Sequence, residues 1–109
     1  AQRWIDSGLQ PSETARDRMA TLHEKVREAF EETIEAFRNE DAQAAASVLY
    51  REPVINDLAR EILRHQAQRF QEAKSDRLGI FRFEMDFVEK QRRIFSLTKR
   101  VARTIVHDT

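Results

Sequence analysis

The sequence contains no cysteine. That excludes disulfides, thiolate metal sites and cysteine nucleophiles, and leaves the redox compartment open. Glycine and proline number two each in 109 residues. Two glycines cannot build a glycine-rich phosphate loop, and a chain so poor in breakers favours long helices over many short elements. Long apolar runs are missing too. The longest uncharged stretch, "AQAAASVLY" at 42–50, is less than half of the roughly 20 residues a membrane-spanning helix needs. No segment has the layout of a secretory signal. Net charge is also absent: 19 Lys and Arg balance 19 Asp and Glu, so no whole-molecule field draws in a polyanion.

What is present is charge in quantity and apolar residues at helical spacing. Charged residues make up 35% of the chain and hydrophobic ones 40%. Glu, Arg, Ala and Leu dominate, with little β-branched alternation, so the expected fold is all-α. The length suffices for one core and not two. Residues 1–11 read as a connector, in which Trp4, Ile5 and Leu9 could pack on the domain and Gly8 and Pro11 prevent a long helix. Together with an initial Ala, they suggest a piece of a longer protein, with the bundle domain at 12–109.

Ser12 is a plausible N-cap for a first helix running to about Arg38. Its apolar stripe is Met19, Leu22, Val26, Phe30, Thr33 and Phe37, and Glu24, Glu28, Glu31, Glu32 and Glu35 fill the other faces. "RNED" at 38–41 predicts a tight turn, with Asn39 in the left-handed conformation and Asp41 capping the next helix. That helix spans about 41–74, is kinked or broken near Pro53, and carries Ile55, Leu58, Ile62, Ala67 and Phe70 as its stripe. "KSDRLG" at 74–79 is the second connection. In the last helix Ile80, Phe87, Ile94 and Val101 fall seven apart, with Phe83, Leu97 and Thr104 three residues after three of them. This heptad-like seam is expected to face the core. Short connections make sequential helices antiparallel, so the expected architecture is an elongated up-down-up three-helix bundle.

The seam runs through the most unusual stretch of the chain. "FVEKQRRIFSLTKRVAR" at 87–103 holds Lys90, Arg92, Arg93, Lys99, Arg100 and Arg103 against one acid, Glu89. At 100° per residue, Arg92, Lys99 and Arg103 share one outer face, while Lys90 and Arg93 lie on another flank. Residues 1–40, in contrast, hold nine acids and six bases. Two readings stand: a solvated face paired with the Glu-rich first helix, or a surface for anionic lipid headgroups or an acidic partner. Nucleic acid is not expected, because no groove-reading motif exists and Trp and Tyr are remote from the cluster. Glu61 and His65, four apart, form a weak metal candidate, and His23 and His107 read as boundary and end residues. No nucleophile–base arrangement can be argued, so an enzyme is not expected.

The strings "TARDRMATLHEKVREAFEETIEAFRNED" and "LAREILRH" resemble the first part of a PhoU-like helical domain. "FRFEMDFVEKQRRIFSLTKRVAR" is similar to its last helix, in the version that ends bacterial sodium/phosphate cotransporter family proteins. The resemblance covers roughly residues 12–106. It implies a three-helix bundle on the cytoplasmic face of the inner membrane, with a regulatory role exercised on the transmembrane part of the same transporter chain. A homodimer contact is a further implied role, and the basic face of the last helix would meet the anionic membrane surface or an acidic face of the transporter. PhoU proteins hold metal clusters through acidic pairs four apart on two helices. Those positions align here with Glu52 and Asn56, and with Arg92 and Ser96. Three of the four cannot act as carboxylate ligands, so no metal and no cofactor is expected.

Overall fold

A computed structural model of the chain describes residues 13–72 and 78–108. The expected connector at 1–11, with Trp4, Ile5 and Leu9, the Ser12 cap and most of the 74–79 connection lie outside these residues. The described residues form helices α1 (Glu13–Asn39), α2 (Ala42–Leu49), α3 (Glu52–Glu72) and α4 (Leu78–Asp108). There is no strand among them. Helices α2 and α3 are two halves of one rod, broken at Tyr50–Arg51. Pro53 sits in the first turn of α3, where its missing N–H costs nothing. The Arg51 N–H donates to the Val48 carbonyl and the Ile55 N–H to the Arg51 carbonyl, so the break is bridged by backbone bonds.

The first turn is built by a helix-ending motif and a cap in succession. The Asp41 N–H reaches back to the Ala36 carbonyl at 2.9 Å and the Glu40 N–H to that of Phe37 at 3.4 Å. This is the double closure that follows a residue in the left-handed region. That residue is Glu40, with φ 53°, and not Asn39 as the composition of the turn suggests. Asn39 remains helical, and its side-chain amide donates to Glu35. The Asp41 carboxylate then accepts from the backbone N–H of Gln43 and of Ala44, both at 3.1 Å, and so starts α2.

Polar contacts between helices define the directions. Arg51 bonds Glu28 and Glu32, and Arg18 lies 3.7 Å from Glu61, so α1 and α3 run antiparallel. Lys99 meets Glu52, and Gln66 donates to the Phe81 carbonyl and to Glu84, so α3 and α4 run antiparallel as well. Helices α1 and α4 therefore lie side by side in the same direction. The bundle is elongated, 54 × 25 × 17 Å, as expected for an up-down-up arrangement.

The core is packed through small residues. Ala29, Ala36, Ala45, Ala59 and Ala102 are fully buried, and they let the backbones approach around Leu22, Val26, Val48, Ile55 and Phe95. Two core threonines satisfy their hydroxyls locally, Thr33 on the Ala29 carbonyl and Thr98 on that of Ile94. At one end a polar cluster replaces apolar packing. Glu84 and Gln66 are both buried there, bonded to each other at 3.1 Å, with Arg69 3.9 Å from the Glu84 carboxylate.

The expected stripes are corrected by one residue. In α4 the buried column is Val88, Phe95 and Ala102, with Glu84, Gln91, Thr98 and Ile105 beside it. Of the expected quartet, Ile80 is buried and Phe87 half-buried, but Ile94 and Val101 are exposed. Phe83, Leu97 and Thr104 are exposed too. Residues seven apart on a straight helix drift by about 20° per heptad, so a seam that starts inside at Ile80 has turned outward by Val101. In α1 Met19, Leu22, Val26 and Thr33 are buried as expected, but Phe30 and Phe37 lie outside and the preceding Ala29 and Ala36 inside. In α3 Ile55 and Ile62 are buried as expected and Leu58 is half-buried. Ala59 and Gln66 complete the buried column, Ala67 is exposed, and the Phe70 side chain lies outside the described set.

Candidate functional site

Three features could carry a function: the basic residues of α4, the positions aligned with the family's metal site, and an apolar groove that the corrected seam leaves open. The basic residues separate by partner. Lys90 pairs with Asp86 on its own helix at 3.0 Å. Lys99 is drawn onto Glu52 at the start of α3 and lies 5.9 Å from the centre of the Phe95 ring. Arg92, Arg93, Arg100 and Arg103 are exposed and make no ion pair among the described residues. The Glu-rich first helix does not neutralise them. Five of its acids are engaged elsewhere: Glu28 and Glu32 by Arg51, Glu24 and Glu31 by Arg27, and Glu35 by Arg38. The expected pairing of α4 with α1 is thus replaced by pairing of α1 with itself and with the α2–α3 break. Arg27 holds Glu24 below the usual carboxylate range through a hydrogen bond, and Glu24 in turn raises the Arg27 guanidinium.

By rotation of 100° per residue, Arg92 and Arg103 lie on one shoulder of α4 and Arg93 and Arg100 on its outermost line. Together they form one positive band along the helix. Arg92 and Arg103 share the shoulder with Lys99, as the spacing predicts, but Lys99 is turned inward by Glu52.

The metal positions fail a direct test. Glu52 accepts the Lys99 ammonium, which supplies the positive charge a cation would bring. Asn56 is neutral, and Arg92 and Ser96 offer no carboxylate. The residues present do not fit a metal cluster. The Glu61–His65 pair is not assembled either: Glu61 is held by Arg64 at 2.6 Å and lies 3.7 Å from Arg18, and its carboxyl is kept low by the Arg64 hydrogen bond. His65 Nε2 is buried without a hydrogen-bond partner. No group of three metal-ligating side chains exists among the described residues. His23 is exposed at the edge of the groove, and His107 is exposed in the last turn.

The groove runs between α1 and α4. A cavity of about 290 Å³ is lined by Phe30, Ile34, Ile94, Leu97 and Val101, with Thr33 and Thr98 beneath. A second, of about 220 Å³, continues toward His23, Arg27 and Gln91. Sequence reasoning placed Phe30, Ile94 and Val101 in the core and so missed this face. The available signal was width: both helices carry two adjacent apolar columns, more than one three-helix core can cover.

A family model described as the PhoU domain matches residues 19–105. The chain belongs to the PhoU domain family. The match covers all four helices, from Met19 in α1 to Ile105 in α4. PhoU domains form a helical, non-catalytic regulatory family of phosphate-related systems. No curated protein and no solved structure matches the chain. Among the described residues, no helix of this PhoU domain is long and apolar enough to cross a membrane.

Proposed function

We propose that this PhoU domain regulates a sodium-dependent phosphate transporter from the cytoplasmic face of the inner membrane, by contact and without catalysis. Its partners in this reading are the transmembrane part of the same transporter chain and the anionic membrane surface beside it. The family match supports the regulatory role, and the similarity of the α4 string to the domain that ends cotransporter proteins supports the attachment. The observation that carries the contact is the band of Arg92, Arg93, Arg100 and Arg103, exposed and in no ion pair among the described residues. Each basic residue near an anionic leaflet contributes about 1 kcal/mol. Four give about 4 kcal/mol, enough to hold a tethered domain against the surface and weak enough to release it.

Co-sedimentation with vesicles at low salt tests this reading. Phosphatidylserine-containing vesicles should retain the domain and neutral ones should not. Replacing the four arginines by glutamine should abolish retention with helicity unchanged. Equal retention by both vesicle types would refute the surface contact, and loss of helicity in the variant would refute the assignment of these arginines to the surface.

A second reading is a free-standing helical adaptor or dimerisation module without a transporter link. The apolar groove favours it. Hydrophobic spans encoded upstream of Ala1 would decide for the transporter, and a start codon there for the adaptor.

A further inference from the structure

We infer that Trp4 docks in the cavity at the His23 end of the α1–α4 groove, so that residues 1–12 of this chain cover that end. The inference concerns this surface alone and does not rest on the proposed transporter role.

The cavity suits one large, uncharged side chain. It holds about 220 Å³ between His23, Val26, Arg27, Phe30, Gln91 and Ile94. That is below the roughly 300 Å³ at which pockets for small ligands begin. Phe30 and Ile94, which face each other across it, are 49% and 41% exposed. An anionic ligand finds little to hold it there. The Arg27 guanidinium in the wall is already shared between Glu24 and Glu31, and a lipid or phosphate headgroup would have to displace both carboxylates.

The floor of the cavity lacks a donor. Gln91 is buried there, and its amide oxygen has no hydrogen-bond partner. Leaving such a group unpaired costs stability. Its terminal torsion is soft, so the amide can turn to meet an occupant of the cavity. Tryptophan combines a large apolar body with an N–H that donates and does not accept. The sequence has one, Trp4.

Trp4 also has the reach. An extended chain covers at most about 3.6 Å per residue, so Trp4 lies within about 30 Å of Glu13, where α1 begins. The α1 residues of the cavity, His23 to Phe30, lie about 15–25 Å along the helix from Glu13. The chain must reverse before entering α1, and Gly8 and Pro11 are the turn residues that permit it. The reversal uses part of the reach, so the Ile34, Leu97 and Val101 end of the groove stays open. Arg3 and Asp6, the charges of the segment, cancel and do not contest the Arg27 pairs. A segment tethered this closely has an effective concentration in the millimolar range, so a single aromatic contact suffices to seat it. A partner that takes the whole groove must first displace Trp4.

A single tryptophan makes the test direct. In the 109-residue chain, Trp4 fluorescence should be blue-shifted from that of free tryptophan and several-fold less quenched by acrylamide, and neither should change on dilution. Phe30→Glu and Ile94→Glu should each return Trp4 to water-like emission with far-UV circular dichroism unchanged, while Leu97→Glu, at the open end, should leave it as it is. Nuclear Overhauser contacts from the Trp4 ring to Ile94 in the unsubstituted chain make the same test without a variant. Water-like emission in the unsubstituted chain, a shift that vanishes on dilution, shielding that survives both cavity variants, or absence of the Ile94 contacts would each overturn the inference.

Discussion

Phe95→Ala and Leu97→Ala remove aromatic and aliphatic bulk two residues apart on one helix, yet they should differ sharply in effect. Phe95 is 3% exposed and packs in the core with Val88 and Ala102. Its removal deletes a large buried side chain and leaves a cavity, a change that costs about 3–5 kcal/mol. It also removes the ring beneath the Lys99 ammonium. A domain of this size has roughly 5–15 kcal/mol in total, so the variant should lose about a fifth or more of its stability. At about 4 °C per kcal/mol, its Tm should drop by roughly 12–20 °C. Leu97 lies outside the bundle, and in dilute solution Leu97→Ala should change stability by no more than about 0.5 kcal/mol. Urea melts followed by circular dichroism, at a concentration too low for association, measure both. Equal losses, or a larger loss at Leu97, would refute the assignment of the core to the Val88–Phe95–Ala102 column. The core would then lie along Ile80, Phe87, Ile94 and Val101.

Other outcomes follow from the same structure. Glu40 holds a positive φ, so Glu40→Gly should stabilise the fold by about 0.5–1 kcal/mol in a thermal melt, and a loss would show that the turn is closed differently. Asp41→Ala removes two backbone acceptor contacts at the start of α2 and should cost about 1 kcal/mol in the same assay. Glu24 and Glu61 are held low in the folded chain by Arg27 and Arg64. Their contribution to stability is therefore present above the ordinary glutamate value of 4.5 and disappears as pH falls through the lower folded value. A carboxyl NMR titration should find both below 4.5, and Arg27→Ala should return Glu24 toward it.

The fold was largely legible because its determinants are local. The Asp41 cap, the break before Pro53 and the long periodic segments each declare themselves within a few residues. The register of the core was less legible, because it depends on how closely the helices approach. Alanines at 29, 36, 45, 59 and 102 set that distance, and once the backbones are close the neighbouring Phe30, Phe37, Ile94 and Val101 no longer fit inside. Spacing alone cannot choose between two adjacent apolar columns on one helix. The basic string was visible as a cluster, but its division was not. Only the folded chain brings Glu52 to Lys99, 47 residues away, and leaves the four arginines outside. The acids of α1 were equally visible, yet Arg51, a single residue at the break, claims two of them across the bundle.

Salt dependence of vesicle binding tests the proposed role most directly. Retention on phosphatidylserine-containing vesicles should weaken steeply as salt rises, because the band is exposed and screened within about 10 Å at 0.1 M. Each arginine changed to glutamine should weaken binding about fivefold. Binding that ignores both salt and the four arginines would contradict a regulatory contact made through this face of α4.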